Sequence, residues 1–218
     1  MFSVSVIVPV KNEEDTLNKF LESWRNQTIP FELIIVDTHS TDNTEKLAQE
    51  YADLVLDLDG SSQRAMPITA MARNLGAKHA SGKIQVHTDA DVVLSDPHQL
   101  ERIIGKFVDG KMDVATVRMR YRKSIMHGLR ELAKKALRVV SGIIVVRKDV
   151  FFELGCFPLS KWHDLKLSNR AILKRHTPKG IDESPVYLRP VHDVVVAQKI
   201  IALLGFSSLM GMGIYFFL

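Results

Sequence analysis

Apolar runs too short for helices alternate with stretches of helical spacing along the first 90 residues. This alternation limits the fold more than any other feature of the chain. Val4-Ser5-Val6-Ile7-Val8-Pro9 is short, β-branched and stopped by proline, the pattern of a buried strand. Over 14–26, Leu17, Phe20, Leu21 and Trp24 fall on one helical face. Phe31 to Val36 predicts a second strand, Thr41 to Tyr51 a helix capped by Thr41-Asp42, and Asp53 to Leu58 a third strand. Pro67 to Ala80 predicts a helix ended by Gly82, and Ile84 to His87 a fourth strand. Strands separated by helices imply βαβ units, right-handed crossovers and a parallel sheet.

The second half is less regular. Helices are expected over Pro97 to Val108, Ile125 to Val140, Asp149 to Leu154 and Asp164 to Lys174. Strands are expected over Val114 to Tyr121, Gly142 to Arg147 and Val186 to Arg189. Met1 leads straight into the first strand without the basic start of a signal peptide. A single cysteine, Cys156, excludes an intrachain disulfide and a cysteine-built zinc site.

In open α/β sheets, ligands sit beyond the carboxyl ends of the strands. The residues in that position are Asn12-Glu13, Asp37 and Asp89-Ala90-Asp91. No glycine-rich loop follows the first strand, where Pro9-Val10-Lys11-Asn12 stands, which argues against a dinucleotide-binding Rossmann enzyme and a P-loop nucleotidase. Asp89 and Asp91, spaced i and i+2 after an apolar strand, can aim at one divalent ion. Their hard oxygens suit Mg²⁺ or Mn²⁺ bridging a diphosphate. Taken singly, such aspartates are more often solvated loop residues, and Asp37 and Asp164 also fit as helix caps.

The ordered set resembles the family 2 glycosyltransferases, which have the GT-A fold. The resemblance runs over about residues 3–192. It is carried by Val4 to Glu14, by Glu32-Leu33-Ile34-Ile35-Val36-Asp37 with Ser40 to Thr44, and by Ala72-Arg73-Asn74-Leu75-Gly76 with Ala80-Ser81-Gly82. Asp89-Ala90-Asp91 follows, then Gly155-Cys156-Phe157 ahead of Asp164, Leu167 and Arg170. The resemblance implies an α/β GT-A fold, with a mostly parallel central sheet flanked by helices and a C-terminal apolar helix, and inverting transfer of a sugar from a nucleotide diphosphate sugar. Under it, Asp89 and Asp91 hold the metal, with His192 as a third metal-binding side chain. Pro9, Glu13 and Asp37 face the nucleoside, Arg73 (or Arg64) and Asp89 the diphosphate, and Asp164 serves as catalytic base. The family's second acid after Asp37 is replaced by Thr38, and the Glu before its base by His163.

The net charge of +4 conceals a division. Residues 1–117 hold 11 Lys/Arg against 18 Asp/Glu, and residues 118–218 hold 18 against 7. Eight Lys/Arg and one acid, Glu131, lie between Arg118 and Arg138. An apolar stripe of Ile125, Leu129, Leu132, Ala136 and Val140 runs through that stretch. A basic amphipathic helix can lie on an anionic membrane or pack on the sheet by its stripe. No aromatic interleaving or known module points to nucleic acid. Ile200 to Leu218 carries no charge and, as a helix, would reach about 28 Å, close to a bilayer's hydrocarbon thickness. With basic residues before it, the positive-inside tendency places the remainder on the cytoplasmic side. A short anchor, the first part of a hairpin and a packed helix all fit this tail.

The expected organisation is a GT-A domain over 1–193, with a nucleotide-sugar half at 1–96, an acceptor half at 97–193 and an anchoring helix at 194–218. The resemblance to dolichol-phosphate sugar synthases implies a lipid-linked acceptor such as a polyprenyl phosphate. A glycan or protein hydroxyl, or a non-catalytic nucleotide-sugar-binding role, are the alternatives.

Overall fold

The computed structural model describes residues 3–59, 68–117, 120–121 and 142–159, then 167, 170–171, 174, 176, 179–183 and 185–187. In chain order the elements are β1 Val4–Val10, α1 Glu14–Arg25, β2 Glu32–Asp37, α2 Thr44–Tyr51, β3 Leu54–Asp57, α3 Ile68–His79 and β4 Ile84–His87. Next come β5 Val92–Val93, α4 Gln99–Asp109, β6 Val114–Val117, β7 Arg120–Tyr121, β8 Ile144–Arg147, α5 Lys148–Glu153, β9 Lys179–Ile181 and β10 Val186–Tyr187. Seven strands form one sheet in the order β3-β2-β1-β4-β8-β6-β9, and β5-β10-β7 form a second.

β1 is central, paired in parallel with β2 on one side and β4 on the other. Its side chains divide by the two-residue period of a strand. Val6, Val8 and Val10 pack with Leu17, Phe20, Leu21 and Trp24 of α1 and with Ile103 and Phe107 of α4. Ile7 points to the opposite face, with Ala70, Ala72 and Ala77 of α3 and Phe151 of α5. Both faces of the sheet are therefore covered, which is why β1 and β2 read as unbroken apolar runs.

The central sheet is mostly parallel, as expected, with β8 running antiparallel to both β4 and β6. Other expectations are corrected here. The short strands β5 and β9 have no counterpart in the sequence reading, since two or three residues carry no period. α2 begins at Thr44, with Asn43 rather than Thr41-Asp42 at its cap. The Asp42 carboxylate still accepts the Thr44 N–H at 3.0 Å. Gly82 does not cap α3; a Cβ there would lie 2.6 Å from the Ser5 nitrogen, so the glycine permits close approach to β1. Gly76 does the same for α3, where a Cβ would meet Ile7 Cγ2 at 2.6 Å.

The crevice begins in a sheet irregularity. β1 pairs with β4 only as far as Ile7 opposite His87, whereas its pairing with β2 continues to Val10 opposite Asp37. Pro9 lies just past the point where β4 departs, and proline has no N–H to offer a ladder. The chain leaving β4 turns away as Asp89-Ala90-Asp91. The predicted helices over Ile125 to Val140 and Ile200 to Leu218 lie outside the described residues. Among the described residues, no helix is long and apolar enough to cross a membrane.

Candidate active site at the carboxyl edge of the sheet

A cavity of about 330 Å³ opens at the carboxyl ends of the parallel strands. Pro9, Val10, Lys11 and Glu13 line it from β1 and its following turn, Thr38 from the end of β2, and Ile68 and Thr69 from the start of α3. Asp89, Ala90 and Asp91 line it from the turn after β4. The structure thus brings together Pro9, Glu13, Asp89 and Asp91 from the set chosen in sequence. Asp164 and His192, with Arg64 and His163, lie outside the described residues.

Asp37 is one residue behind the lining, at the end of β2, with only 3% of its surface exposed. Its Oδ1 accepts the Ser40 N–H at 3.0 Å and the Ser40 hydroxyl at 2.7 Å. The Thr38 hydroxyl donates to the Val10 carbonyl at 3.0 Å and so turns acceptor lone pairs, not charge, towards its surroundings. Glu13 is held at the start of α1, its Oε2 accepting the Thr16 hydroxyl at 2.5 Å.

Arg73 differs from expectation. It does not line the cavity but is buried, 3% exposed, on the inner side of α3. Its Nη2 donates to Asp89 Oδ1 at 2.6 Å, and its guanidinium carbon lies 5.5 Å from the centre of the Phe157 ring. Phe157 is fixed in turn by Asn74: the Phe157 N–H donates to Asn74 Oδ1 at 2.9 Å, and Asn74 Nδ2 donates to the Phe157 carbonyl at 2.8 Å. Two sequence motifs far apart, Ala72-Arg73-Asn74 and Gly155-Cys156-Phe157, therefore meet to support one carboxylate. Gly155 and Cys156 both have positive φ, 78° and 59°, which turns the chain back towards α3. Arg170 closes that turn from outside, donating to the carbonyls of Leu154 and Gly155 at 3.3 and 3.2 Å. Leu167, three residues earlier, is fully buried in the core beneath.

His87 is a core residue. It is fully buried, with its ring 4.9 Å from that of Phe151 and 5.1 Å from that of Phe157. Among the described residues neither ring nitrogen has a hydrogen-bond partner. Burial, reinforced by the nearby Arg73 charge, holds its pKa well below the ordinary value for histidine. The imidazole is therefore a neutral part of the core.

The donor set can be tested against a divalent cation. Asp89 and Asp91 offer hard carboxylate oxygens at one lip of the cavity, which suits Mg²⁺ or Mn²⁺ completed by phosphate oxygens and water. Among the described residues no three His, Cys, Asp or Glu side chains group as a metal site. Lys11, Ile68 and Thr69 were missed in the sequence. The strand-end rule reaches Lys11, which directly follows β1; nothing local marks Ile68 or Thr69.

Known proteins place the geometry in a family. Residues 5–135 match the family model described as Glycosyl transferase family 2. The glycosyltransferase AglE of Haloferax volcanii is 31% identical over 172 residues, 71% of this chain and 56% of that protein. A 4,4'-diaponeurosporenoate glycosyltransferase of Staphylococcus haemolyticus is 36% identical over 106 residues, 48% of this chain and 28% of that one. This chain thus spans between about a quarter and a little over half of the length of these relatives. The mannosyltransferase PcManGT from Pyrobaculum calidifontis, solved with GDP-Man and Mn²⁺, superposes with a TM-score of 0.71 at 21% identity, covering 87% of this chain and 57% of its own. The fold is therefore GT-A, with a mostly parallel central sheet flanked by helices, and the chain belongs to glycosyl transferase family 2.

Proposed function

We propose that the chain transfers a sugar, with inversion, from a nucleotide diphosphate sugar to an acceptor at a membrane. The observation that carries this reading is the pairing of Asp89 and Asp91 at the lip of a strand-end cavity in a member of this family. In such a transfer an acceptor oxygen attacks the anomeric carbon, the bond from that carbon to the diphosphate oxygen breaks, and charge grows on the departing phosphates. A Mg²⁺ or Mn²⁺ ion held by Asp89 and Asp91 would neutralise that charge when bound. The protein's own residues do the rest. Arg73, stacked on Phe157, fixes the rotamer of Asp89. Pro9, Glu13, Thr38 and Asp37 form the nucleoside end. Asp164 takes the acceptor's proton, or only orients an acceptor that is already anionic. His192 is assigned as an additional metal ligand by its sequence position alone.

A lipid-linked acceptor is favoured by the basic second half and by the uncharged stretch from Ile200 to Leu218. The S. haemolyticus relative, a 4,4'-diaponeurosporenoate glycosyltransferase, supports an apolar acceptor in the broader sense. In this reading the catalytic domain faces the cytoplasm, supported by the positive-inside tendency of the basic residues before that stretch. Deleting 198–218 should move the protein from the membrane to the soluble fraction, and unchanged fractionation would sink the anchor.

The central test is thermal denaturation of the full chain with a panel of nucleotide sugars, with and without Mn²⁺. A metal-dependent rise in Tm with at least one donor is expected. Indifference to every donor in both conditions removes the transferase reading.

A further inference from the structure

The turns after β1 and β2 are joined by interlocking polar contacts that the chemistry above does not use. Asn12 is in the left-handed region at φ 52°, a conformation that asparagine tolerates better than most residues. His39, opposite it, is also left-handed at φ 68°. In that geometry the Asn12 N–H donates to Ser40 Oγ at 2.9 Å. The Ser40 hydroxyl donates onward to Asp37 Oδ1 at 2.7 Å, so the contacts form a relay ending on a buried carboxylate. The Asn12 side chain completes the junction, with its Oδ1 accepting the Thr41 N–H at 2.8 Å.

The next residues continue the seam. The Glu13 N–H donates to Thr44 Oγ1 at 2.8 Å, and Glu14 accepts Asn43 Nδ2 at 2.6 Å. Glu13 lines the cavity directly, and so does Thr38, adjacent to Asp37. The seam therefore adds to the Thr38 contacts with Val10 in holding the β1 and β2 turns together beside the cavity. Asp89 and Asp91 stand on a different turn and share none of these contacts.

We propose that Asn12 and Ser40 are positioning residues that clamp the β1 and β2 turns together, orient Asp37 and Glu13, and so govern affinity for the nucleoside part of the donor without touching it. Non-glycine residues in left-handed conformations concentrate where a site requires an exact backbone path. This clamp rests on the transferase reading, because only a nucleotide ligand makes that end of the cavity matter.

Calorimetric titration of the full chain in Mn²⁺ with UDP, GDP and CDP, and separately with inorganic pyrophosphate, tests it. Asn12→Ala and Ser40→Ala should each weaken the best-bound nucleoside diphosphate about tenfold and leave pyrophosphate affinity unchanged. The double variant should be weaker than either single one, since Ser40→Ala breaks the relay, whereas Asn12→Ala keeps the backbone N–H that feeds it and removes the separate contact to Thr41. Asn12→Asp, which keeps an acceptor oxygen and tolerates the left-handed backbone, should restore most of the affinity. Equal weakening of pyrophosphate, or unchanged nucleotide affinity in both single variants, overturns the clamp. Should Asn12→Ala not fold, Ser40→Ala decides alone. Wild-type protein that binds no nucleoside diphosphate removes the transferase reading itself, and the clamp with it.

Discussion

The two ends of the parallel strands treat charge in opposite ways. At the amino end, opposite charges meet directly. Arg147 pairs with Asp149 at 2.5 Å and with Asp113 at 3.5 Å, while His176 reaches Asp113 at 2.9 Å and Glu153 at 3.4 Å. At the carboxyl end, Glu13, Asp89 and Asp91 gather around one cavity, with Asp37 close behind. Like charges brought together repel one another. Among the described residues, Lys11 shares that cavity, and the buried Arg73 bonds Asp89 from behind. One end thus uses charge to close the domain, and the other concentrates charge for a ligand to complete.

The comparison is most sharply tested at Asp91. Asp91→Asn should lower the sugar-transfer rate by about a hundredfold or more, as loss of an electrostatic stabiliser at a developing charge does. The same change, nearly isosteric, should shift Tm by about 4 °C at most. Initial rates with a donor identified in the Tm panel, alongside a melting curve, measure both. A large fall in Tm would show that the carboxyl end is also built for stability.

The amino end makes a smaller prediction, in pH rather than rate. The hydrogen bond to Asp113, supported by Glu153 and opposed by partial burial, raises the pKa of His176. Arg147 beside Asp113 and Lys174 beside Glu153 are the other charges facing this group. The folded state therefore holds the proton more tightly than the unfolded chain, whose imidazole titrates near 6.5. The resulting stability is fully present below about pH 6.5 and is lost as pH rises through the raised folded value. His176→Asn should flatten that decline and leave donor affinity unchanged. A wild-type stability curve with no such decline would show that the imidazole's proton is not held in the fold.

Much of this was visible in the chain itself, and the reasons differ by element. β1, α1 and β4 were legible because a two-residue or helical period, read locally, reports which side chains are buried. Asp89 and Asp91 were legible because strand ends are where such sheets bind ligands. The reversal of β8 was not, since an apolar run has the same pattern in either direction. The burial of Arg73 was not legible either. Its partner ring, on Phe157, is brought to it by a turn 83 residues on from Asn74, and no local pattern encodes that meeting. The Asn12–Ser40 seam lay in plain sight as two short polar turns. What joins them is a backbone conformation, which residue identity only permits.

The antiparallel course of β8 has a consequence for how such a protein can change over evolutionary time. Because β6 and β4 both run against β8, the chain leaves the sheet at Val117 and re-enters at Ile144 on the same edge as the cavity, with Ile144 opposite His87. The two ends of that excursion are held by neighbouring strands whatever lies between them. In general, the entropy of closing a loop between fixed ends grows only slowly with its length, by about 0.6 kcal/mol per doubling. Sequence can therefore be inserted, exchanged or recharged there without disturbing the strands that carry the aspartates, so partner choice can drift while the donor end stays put.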